Sequence, residues 1–237
     1  REVLYGGSAG GGKSYAMLAD PLRYLNHPSF SGLLLRHTTE EPLKVNYLKI
    51  NELRDKGVYT RPDDALGSTE FTFTRFLVPY LMDYKGWALF CDCDFLWLDD
   101  VDKLFAQRDD KYAVMCVHHD YTPKEGTKMD GKQQTIYPRK NWSSMVLWNC
   151  GHPSNQQVIP SMVNKETGKF MHRFSWLKDS EIGQLSHEWN WLAGEYEYKK
   201  DVKNIHYTEG GPWFNEYRDC DYSKEWLDHY NECCDIE

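Results

Sequence analysis

The sequence lacks a long hydrophobic stretch. None of its apolar runs reaches the roughly 20 residues that a membrane-spanning helix needs. A secretory signal pattern is also missing from the sequence as given. We therefore expect no membrane span and a cytoplasmic location.

The sequence also lacks a pattern of paired cysteines. It contains seven, an odd number, and no two of them have C-x-x-C spacing. This usage indicates reduced thiols in a cytosol-like compartment rather than a disulfide framework or a zinc site. The cysteines are Cys91, Cys93, Cys116, Cys150, Cys220, Cys233 and Cys234.

Positive charge is scarce. The 237 residues include 28 Lys and Arg against 36 Asp and Glu, which gives a net charge of -8. A broad nucleic-acid footprint is therefore not expected. An anionic ligand would need a local basic pocket or a metal ion.

A glycine-rich motif is present near the start. Residues 6–14 read GGSAGGGKS, which contains the phosphate-loop pattern G-x4-G-K-S. Backbone amides and a lysine in such a loop can hold phosphates. Gly12, Lys13 and Ser14 are thus candidate nucleotide-binding residues, although a glycine-rich turn without a ligand would have the same pattern.

The order of predicted strands and helices indicates an α/β fold. A first strand, Glu2–Tyr5, leads through the glycine-rich loop into a helix at Lys13–Leu25. A helix with a kink at Pro79 is predicted at Ser68–Tyr84, a short helix after Asp99, and a polar lid at 118–140. The other predicted strands are Ser31–His37, Leu43–Ile50, Trp87–Asp100, Tyr112–Val117, Ser143–Asn149 and Lys203–Tyr207.

Two carboxylates lie where an apolar strand ends. Asp92 and Asp94 are two residues apart, so on an extended chain they point to the same side. Ligands of open α/β sheets bind at the carboxyl ends of strands, and paired carboxylates there suit a hard divalent cation. Such a cation could neutralise a diphosphate. The alternative is that these acids only end a strand.

The region around this D-x-D motif resembles the GT-A glycosyltransferases, most closely family 8 and related phage and bacterial enzymes. Four motifs carry the resemblance, in the family's order, over about residues 43–222. They are TRFLVPYLMDYKGWALFCDCDFLWLDDVDKLF with its R-x-x-x-P and D-x-D, then NWSSMVLWN, HEWNWL and HYTEGGPW. The implied fold is a mixed nucleotide-sugar-binding sheet flanked by helices.

The resemblance implies a metal centre. Asp92, Asp94 and His206 would hold Mn²⁺ or Mg²⁺, which would bridge the phosphates of a nucleotide-sugar and assist the departure of the nucleoside diphosphate. Gly210 and Gly211 would let the backbone approach the phosphates. His206 could instead be a structural histidine.

The family often has a lysine directly before Pro-Trp, where this chain has Gly211. Arg75 is the preferred substitute as the cation beside the diphosphate, with Arg139 and Lys140 behind it. Either of the last two could equally be a solvated surface charge.

The acceptor side is less well defined by the resemblance. Glu188 and Asn190 match the family's acceptor and sugar-contact segment loosely, and Trp189 and Trp191 could stack on a sugar or pack in the core. An inverting enzyme needs a general base, for which Glu188 or Asp120 could serve. A retaining enzyme, as in family 8, needs none.

Residues 1–41 resemble a different family, the ATPase start of phage terminase large subunits. No glutamate follows the candidate metal-binding aspartates, as an ATPase of that type would require. We interpret the chain as a probable chimera, with a P-loop βαβ fragment at 1–41 and a GT-A-like domain at 42–237 that lacks its usual first βα unit.

The sequence thus predicts a metal-dependent glycosyltransferase that moves a hexose from a UDP- or GDP-linked donor to an unidentified glycan, lipid or protein. The resemblances imply the cytosol of a bacterium or of a phage-infected host. The alternatives are a P-loop ATPase related to terminase and an inactive chimera.

Overall fold

The computed structural model describes residues 2–7, 31–36, 53–62, 71–120 and 139–234. Within these ranges, nine strands form two sheets. Six strands make the larger sheet, in the spatial order β2-β1-β3-β6-β5-β7, and three make the smaller, in the order β4-β9-β8. The strands are β1 Glu2–Gly7, β2 Ser31–Arg36, β3 Trp87–Asp92, β4 Phe95–Trp97, β5 Val114–Val117, β6 Met145–Asn149, β7 Ile182–Leu185, β8 Trp191–Leu192 and β9 Asn204–His206.

The large sheet is mixed because β6 runs against its neighbours. β1 is parallel to β2 and β3, and β5 is parallel to β7, whereas β6 is antiparallel to both β3 and β5. The carboxyl ends of β3, β5 and β7 therefore share one edge of the sheet with the amino end of β6. We call this edge the carboxyl edge.

The small sheet begins at the carboxyl edge. Only Cys93 and Asp94 separate the end of β3 from the start of β4. β4 is antiparallel to β9, and their register sets Phe95 opposite His206. β8 is parallel to β9 on its other side.

Both faces of the central strands are buried, which explains why these strands are continuous apolar runs. Along β3, Ala88 and Phe90 pack in one core cluster, and Leu89 and Cys91 in another on the opposite face. β5 and β6 alternate in the same way, as the two-residue period of a strand requires. A third cluster, which includes Tyr207, lies beneath the small sheet and the last helix.

Short helices cover the sheet. In the described ranges they are α1 Phe71–Thr74, α2 Val78–Leu81, α3 Val101–Phe105, α4 Pro160–Lys165, α5 Gly168–His172 and α6 Ser223–Cys234, and residues 53–55 are also helical. The 3₁₀ segments are Arg75–Leu77, Trp142–Ser144, Pro153–Asn155, Asp179–Glu181, His187–Trp189 and Asn215–Tyr217. The side chain of Asp100 caps α3 by accepting a hydrogen bond from the Asp102 amide at 2.8 Å.

The structure confirms the predicted mixed α/β architecture and differs from the prediction in detail. The helix around Pro79 is divided into α1, a 3₁₀ turn and α2, since proline has no N–H to continue the helical hydrogen bonds. The single strand predicted at Trp87–Asp100 is two strands, because the chain turns at Cys93 and Asp94 into the second sheet.

Several predicted elements lie outside the described residues. They are the helix at Lys13–Leu25, the strand at Leu43–Ile50 and most of the lid, at 121–138. The division between residues 1–41 and 42–237 stays a prediction. β1 and β2 nevertheless belong to the same sheet as β3.

Across the described ranges, every helix is too short or too polar to traverse a bilayer.

Gly183 gives a test of the packing between β5 and β7. A Cβ atom there would lie 2.5 Å from the Tyr112 ring and 2.8 Å from Met115. We predict that Gly183→Ala lowers the free energy of unfolding by about 1–3 kcal/mol, because the packed side chains of Tyr112 and Met115 must move to make room.

Urea unfolding measures this change, with Gly168→Ala as the control. A Cβ at Gly168 would make only ordinary contacts, the nearest at 3.6 Å from Phe73. Equal losses in the two variants would contradict the packing described here.

Candidate metal centre at the carboxyl edge

Three predicted ligands meet at the carboxyl edge. Asp92 is the last residue of β3, Asp94 directly precedes β4, and His206 is the last residue of β9. One ligand atom from each lies within 4.8 Å of the other two. His206 Nε2 is 3.5 Å from Asp94 Oδ1.

Backbone pairing brings these residues together. The register of β4 and β9 sets Phe95 opposite His206, and the two rings stack at 4.2 Å between centroids. The Tyr207 amide donates to the Asp94 carbonyl oxygen at 2.9 Å. The turn that carries Asp94 is thus joined to the residue directly after His206.

Arg75 neutralises part of the negative charge. Its guanidinium donates to both carboxylate oxygens of Asp92, at 2.8 and 3.1 Å, and to the Ser143 carbonyl at 2.9 Å. Burial raises the pKa of Asp92, Arg75 opposes that rise, and the charge of Asp94 adds to it. The pKa of Asp92 is raised on balance, so a further positive charge nearby would favour the ionised form of its carboxylate.

His206 is oriented from behind by Asn190. Nδ1 of His206 is 3.0 Å from Oδ1 of Asn190. Nδ2 of Asn190 donates to the Ser144 hydroxyl at 3.0 Å, and that hydroxyl donates to the Asn141 carbonyl at 2.6 Å. Nε2 of His206 therefore faces the two carboxylates.

The residues present fit a divalent cation. Carboxylate oxygens suit Mg²⁺ and Mn²⁺, and imidazole nitrogen is a ligand for most transition metals. The 3.5 Å between His206 Nε2 and Asp94 Oδ1 exceeds a normal N–H···O distance. Two ligand atoms that bind the same ion at about 2.1 Å lie about 3.0–3.4 Å apart, and the observed distance is close to that separation.

Arg139 and Lys140, the other two residues predicted as cations beside the diphosphate, have different contacts from Arg75. Arg139 donates to Asp179 and to the Arg173 carbonyl, both at 2.5 Å, and stacks on Trp142. Lys140 is buried, with 7% of its surface exposed. Arg75, in contrast, contacts the predicted metal ligand Asp92 with both of its terminal nitrogens.

Gly210 and Gly211 lie just beyond His206. Gly210 has a φ of +145°, a backbone conformation that side chains rarely adopt. A Cβ at Gly211 would lie 2.1 Å from the Trp213 ring, so packing alone requires glycine there. Gly12, Lys13 and Ser14 lie outside the described residues.

The candidate bases differ in environment. Glu188 accepts from Lys199 Nζ at 2.7 Å and from Ser186, and these hydrogen bonds lower its pKa to about 2. A carboxylate so stabilised is a poor proton acceptor at neutral pH. Asp120 is exposed, at the border of the described residues.

The two tryptophans considered for sugar stacking lie in different environments, and one of them packs in the core as the alternative predicted. Trp189 is fully buried in a core cluster. Trp191 is half-buried, with Tyr196 against it at 5.1 Å and Lys199 over its ring at 5.2 Å.

A group of aromatic and imidazole rings at the same edge was not predicted from the sequence. We call it the histidine–aromatic cluster, and its members are His118, His119, Trp142, His187 and Tyr196. His118 stacks on Trp142 at 4.0 Å, His119 Nδ1 is 2.7 Å from the Tyr196 hydroxyl, and His187 lies parallel to the Tyr196 ring at 6.1 Å. The pair His118-His119, directly after a predicted strand, was a signal that could have revealed it.

Burial lowers the pKa values of His118 and His119, that of His119 strongly. The nearby imidazoles of His206 and His187 lower the pKa of His119 further. These two rings are therefore neutral at neutral pH and suit hydroxyl groups better than phosphates.

Comparison with known proteins identifies a relative. No protein-family profile matches the chain. Protein CDI of Arabidopsis thaliana is 54% identical over 196 residues, which cover 81% of this chain and 76% of that protein. The chain belongs to the same family as Protein CDI.

Several solved structures share the fold of this chain, which is a relative of Protein CDI. The bifunctional glycosyltransferase WbbM superimposes with a TM-score of 0.61 at 15% identity, over 97% of this chain and 49% of WbbM. GlyE of Streptococcus pneumoniae TIGR4 gives 0.57 at 16%, over 97% and 60%. The galactosyltransferase LgtC, solved with donor and acceptor sugar analogues, gives 0.55 at 12%, over 98% and 96%.

These likenesses establish a glycosyltransferase fold. The chain spans about half of WbbM and 60% of GlyE, but almost all of LgtC.

Removing Arg75 tests the charge balance of the site. We predict that Arg75→Met lowers the free energy of unfolding by about 3 kcal/mol, because Asp92 loses the partner of a buried ion pair. The loss should be smaller in an Asp92→Asn background, where no carboxylate needs the guanidinium. Urea unfolding of the four proteins of this cycle measures the coupling.

The control for this cycle is Lys103→Met. Lys103 forms an exposed ion pair with Asp99 at 2.6 Å, so its removal should leave stability nearly unchanged. Additive effects of the Arg75 and Asp92 substitutions would show that the pair is not coupled.

Proposed function

We propose that the protein is a metal-dependent glycosyltransferase of GT-A type, which transfers a hexose from a nucleotide-sugar to an acceptor. The observation that carries the proposal is the meeting of Asp92, Asp94 and His206 at the carboxyl edge of a glycosyltransferase fold. Ligands of open α/β sheets bind at the carboxyl ends of the strands, where these three side chains lie.

Asp92, Asp94 and His206 are the residues that would hold Mn²⁺ or Mg²⁺. A divalent cation there would neutralise the departing nucleoside diphosphate, UDP or GDP, as a Lewis acid. Arg75 keeps Asp92 in position and supplies a protein cation directly beside it. Gly210 and Gly211 would let the backbone beyond His206 approach the phosphates.

The sugar would lie beside the metal centre, on the side of the histidine–aromatic cluster. Ring faces with polar edges suit sugar hydroxyl groups and C–H surfaces. His187 is three residues from Asn190, a span of at most about 11 Å of extended chain. The cluster is therefore within reach of a hexose attached to the diphosphate.

A retaining course, as in family 8, is the better-supported reaction. The two candidate bases were Glu188 and Asp120, and the pKa of Glu188 is lowered to about 2. An inverting course would then depend on Asp120. The acceptor can be a glycan, a lipid or a protein.

We also propose that residues 1–41 have a different origin from 42–237, as the phosphate-loop pattern indicates. In that case β1 and β2 take the place of the first βα unit of the transferase. The ATPase alternative gains no support from the solved structures compared above, which are glycosyltransferases.

A screen of UDP- and GDP-hexose hydrolysis with Mn²⁺ tests the proposed function. We expect turnover of at least one donor, with a loss of at least about 100-fold in Asp92→Asn and Asp94→Asn. Lewis-acid stabilisation is worth several kcal/mol, and each 1.4 kcal/mol is a factor of ten.

Two control variants accompany the screen. Asp99→Asn changes a carboxylate close in sequence that pairs with Lys103. Lys13→Ala changes the phosphate-loop lysine. Neither should reduce turnover. ATP hydrolysis that Lys13→Ala abolishes, without turnover of any nucleotide-sugar, would replace the transferase by an ATPase.

A further inference from the structure

A chain of buried hydrogen bonds behind His206 has a defined direction. It begins at the Asn141 carbonyl and passes through the Ser144 hydroxyl and the Asn190 side-chain amide to His206 Nδ1. Ser144, Asn190 and His206 are 4%, 0% and 3% exposed. We call these groups the Asn190 relay.

The direction follows from the number of protons available. The Ser144 hydroxyl has one proton, and the 2.6 Å contact with the Asn141 carbonyl uses it, since a carbonyl can only accept. Towards Asn190 the hydroxyl can then only accept, so the atom of Asn190 that faces it is the NH₂ group. The amide oxygen must face His206.

The amide oxygen in turn sets the histidine tautomer. An oxygen at 3.0 Å from Nδ1 accepts a hydrogen bond, so Nδ1 carries the proton. In a neutral imidazole, the lone pair is then on Nε2, the atom 3.5 Å from Asp94 Oδ1. A metal ligand needs that lone pair.

The backbone holds Asn190 in place for this role. The Asn190 amide donates to the His187 carbonyl at 3.0 Å, and the Lys203 amide donates to the Glu188 carbonyl at 2.9 Å. β8 starts at the next residue and pairs with β9, which ends at His206. Asn190 and His206 are therefore fixed on adjacent segments.

We propose that Asn190 is a positioning residue, which holds His206 in the Nδ1–H tautomer so that Nε2 is directed to a metal ion. The metal part rests on the proposed function, whereas the tautomer does not. The family resemblance loosely implied a substrate contact for Asn190. Full burial and hydrogen bonds to Ser144 and His206 instead place it behind the ligand.

The tautomer of His206 can be measured directly by two-bond ¹H–¹⁵N NMR of histidine-labelled protein at about pH 8. A His206→Gln sample identifies the signal among the nine histidines. We expect the Nδ1–H pattern in the wild type and in Asn190→Asp, which keeps an acceptor oxygen. Asn190→Leu should lose it.

Mn²⁺ binding, followed by the EPR signal of the free ion, is the second readout. We expect the dissociation constant to rise about 10–100-fold in Asn190→Leu and to stay within about threefold in Asn190→Asp. Asn204→Leu is the matched control, because Asn204 is also 0% exposed and lies on β9 but contacts Met145 rather than His206. It should change neither readout.

The two proposals fail in different ways. A wild-type His206 with its proton on Nε2, or an Asn190→Leu variant that binds Mn²⁺ within about twofold of the wild type, would overturn the relay. A wild type that binds no Mn²⁺, yet shows the Nδ1–H tautomer, would leave the relay standing and overturn the metal-dependent function. If Asn190→Leu does not fold, the wild-type spectrum still decides the tautomer.

Discussion

The two-residue connection between β3 and β4 is the constraint on which the rest of the site depends. Because only Cys93 and Asp94 lie between these strands, the end of the large sheet and the start of the small sheet must meet at one point. The pairing of β4 with β9 then brings His206 to the same point. A longer loop would leave the two aspartates free to separate, and the site would need an ion to assemble it.

This arrangement concentrates negative charge in a poorly solvated place. Burial and Asp94 both raise the pKa of Asp92, and Arg75 offsets only part of that rise. A divalent cation would complete the charge balance and would also attract an anionic substrate to a protein whose net charge is -8. The acidic composition and the candidate metal centre are thus consistent with each other.

Much of the fold could be predicted from the sequence, because strand periodicity and proline act locally. The carboxylates could be predicted from their position at the end of an apolar strand, although a turn at Cys93 and Asp94, not an extended strand, brings them together. The interruption of the helix follows from Pro79. Two features depend on tertiary pairing and could not be predicted: the reversal of β6 and the contact of Asn190 with His206. Residues distant in sequence decide each of them.

The central claim is that Asp92, Asp94 and His206 hold one divalent cation together with a nucleoside diphosphate. Anomalous diffraction from crystals soaked in MnCl₂ with UDP or GDP tests it most directly. We predict one manganese peak that contacts all three side chains and the diphosphate. Nucleotide bound with no manganese between these residues, or manganese bound only elsewhere, would contradict the account.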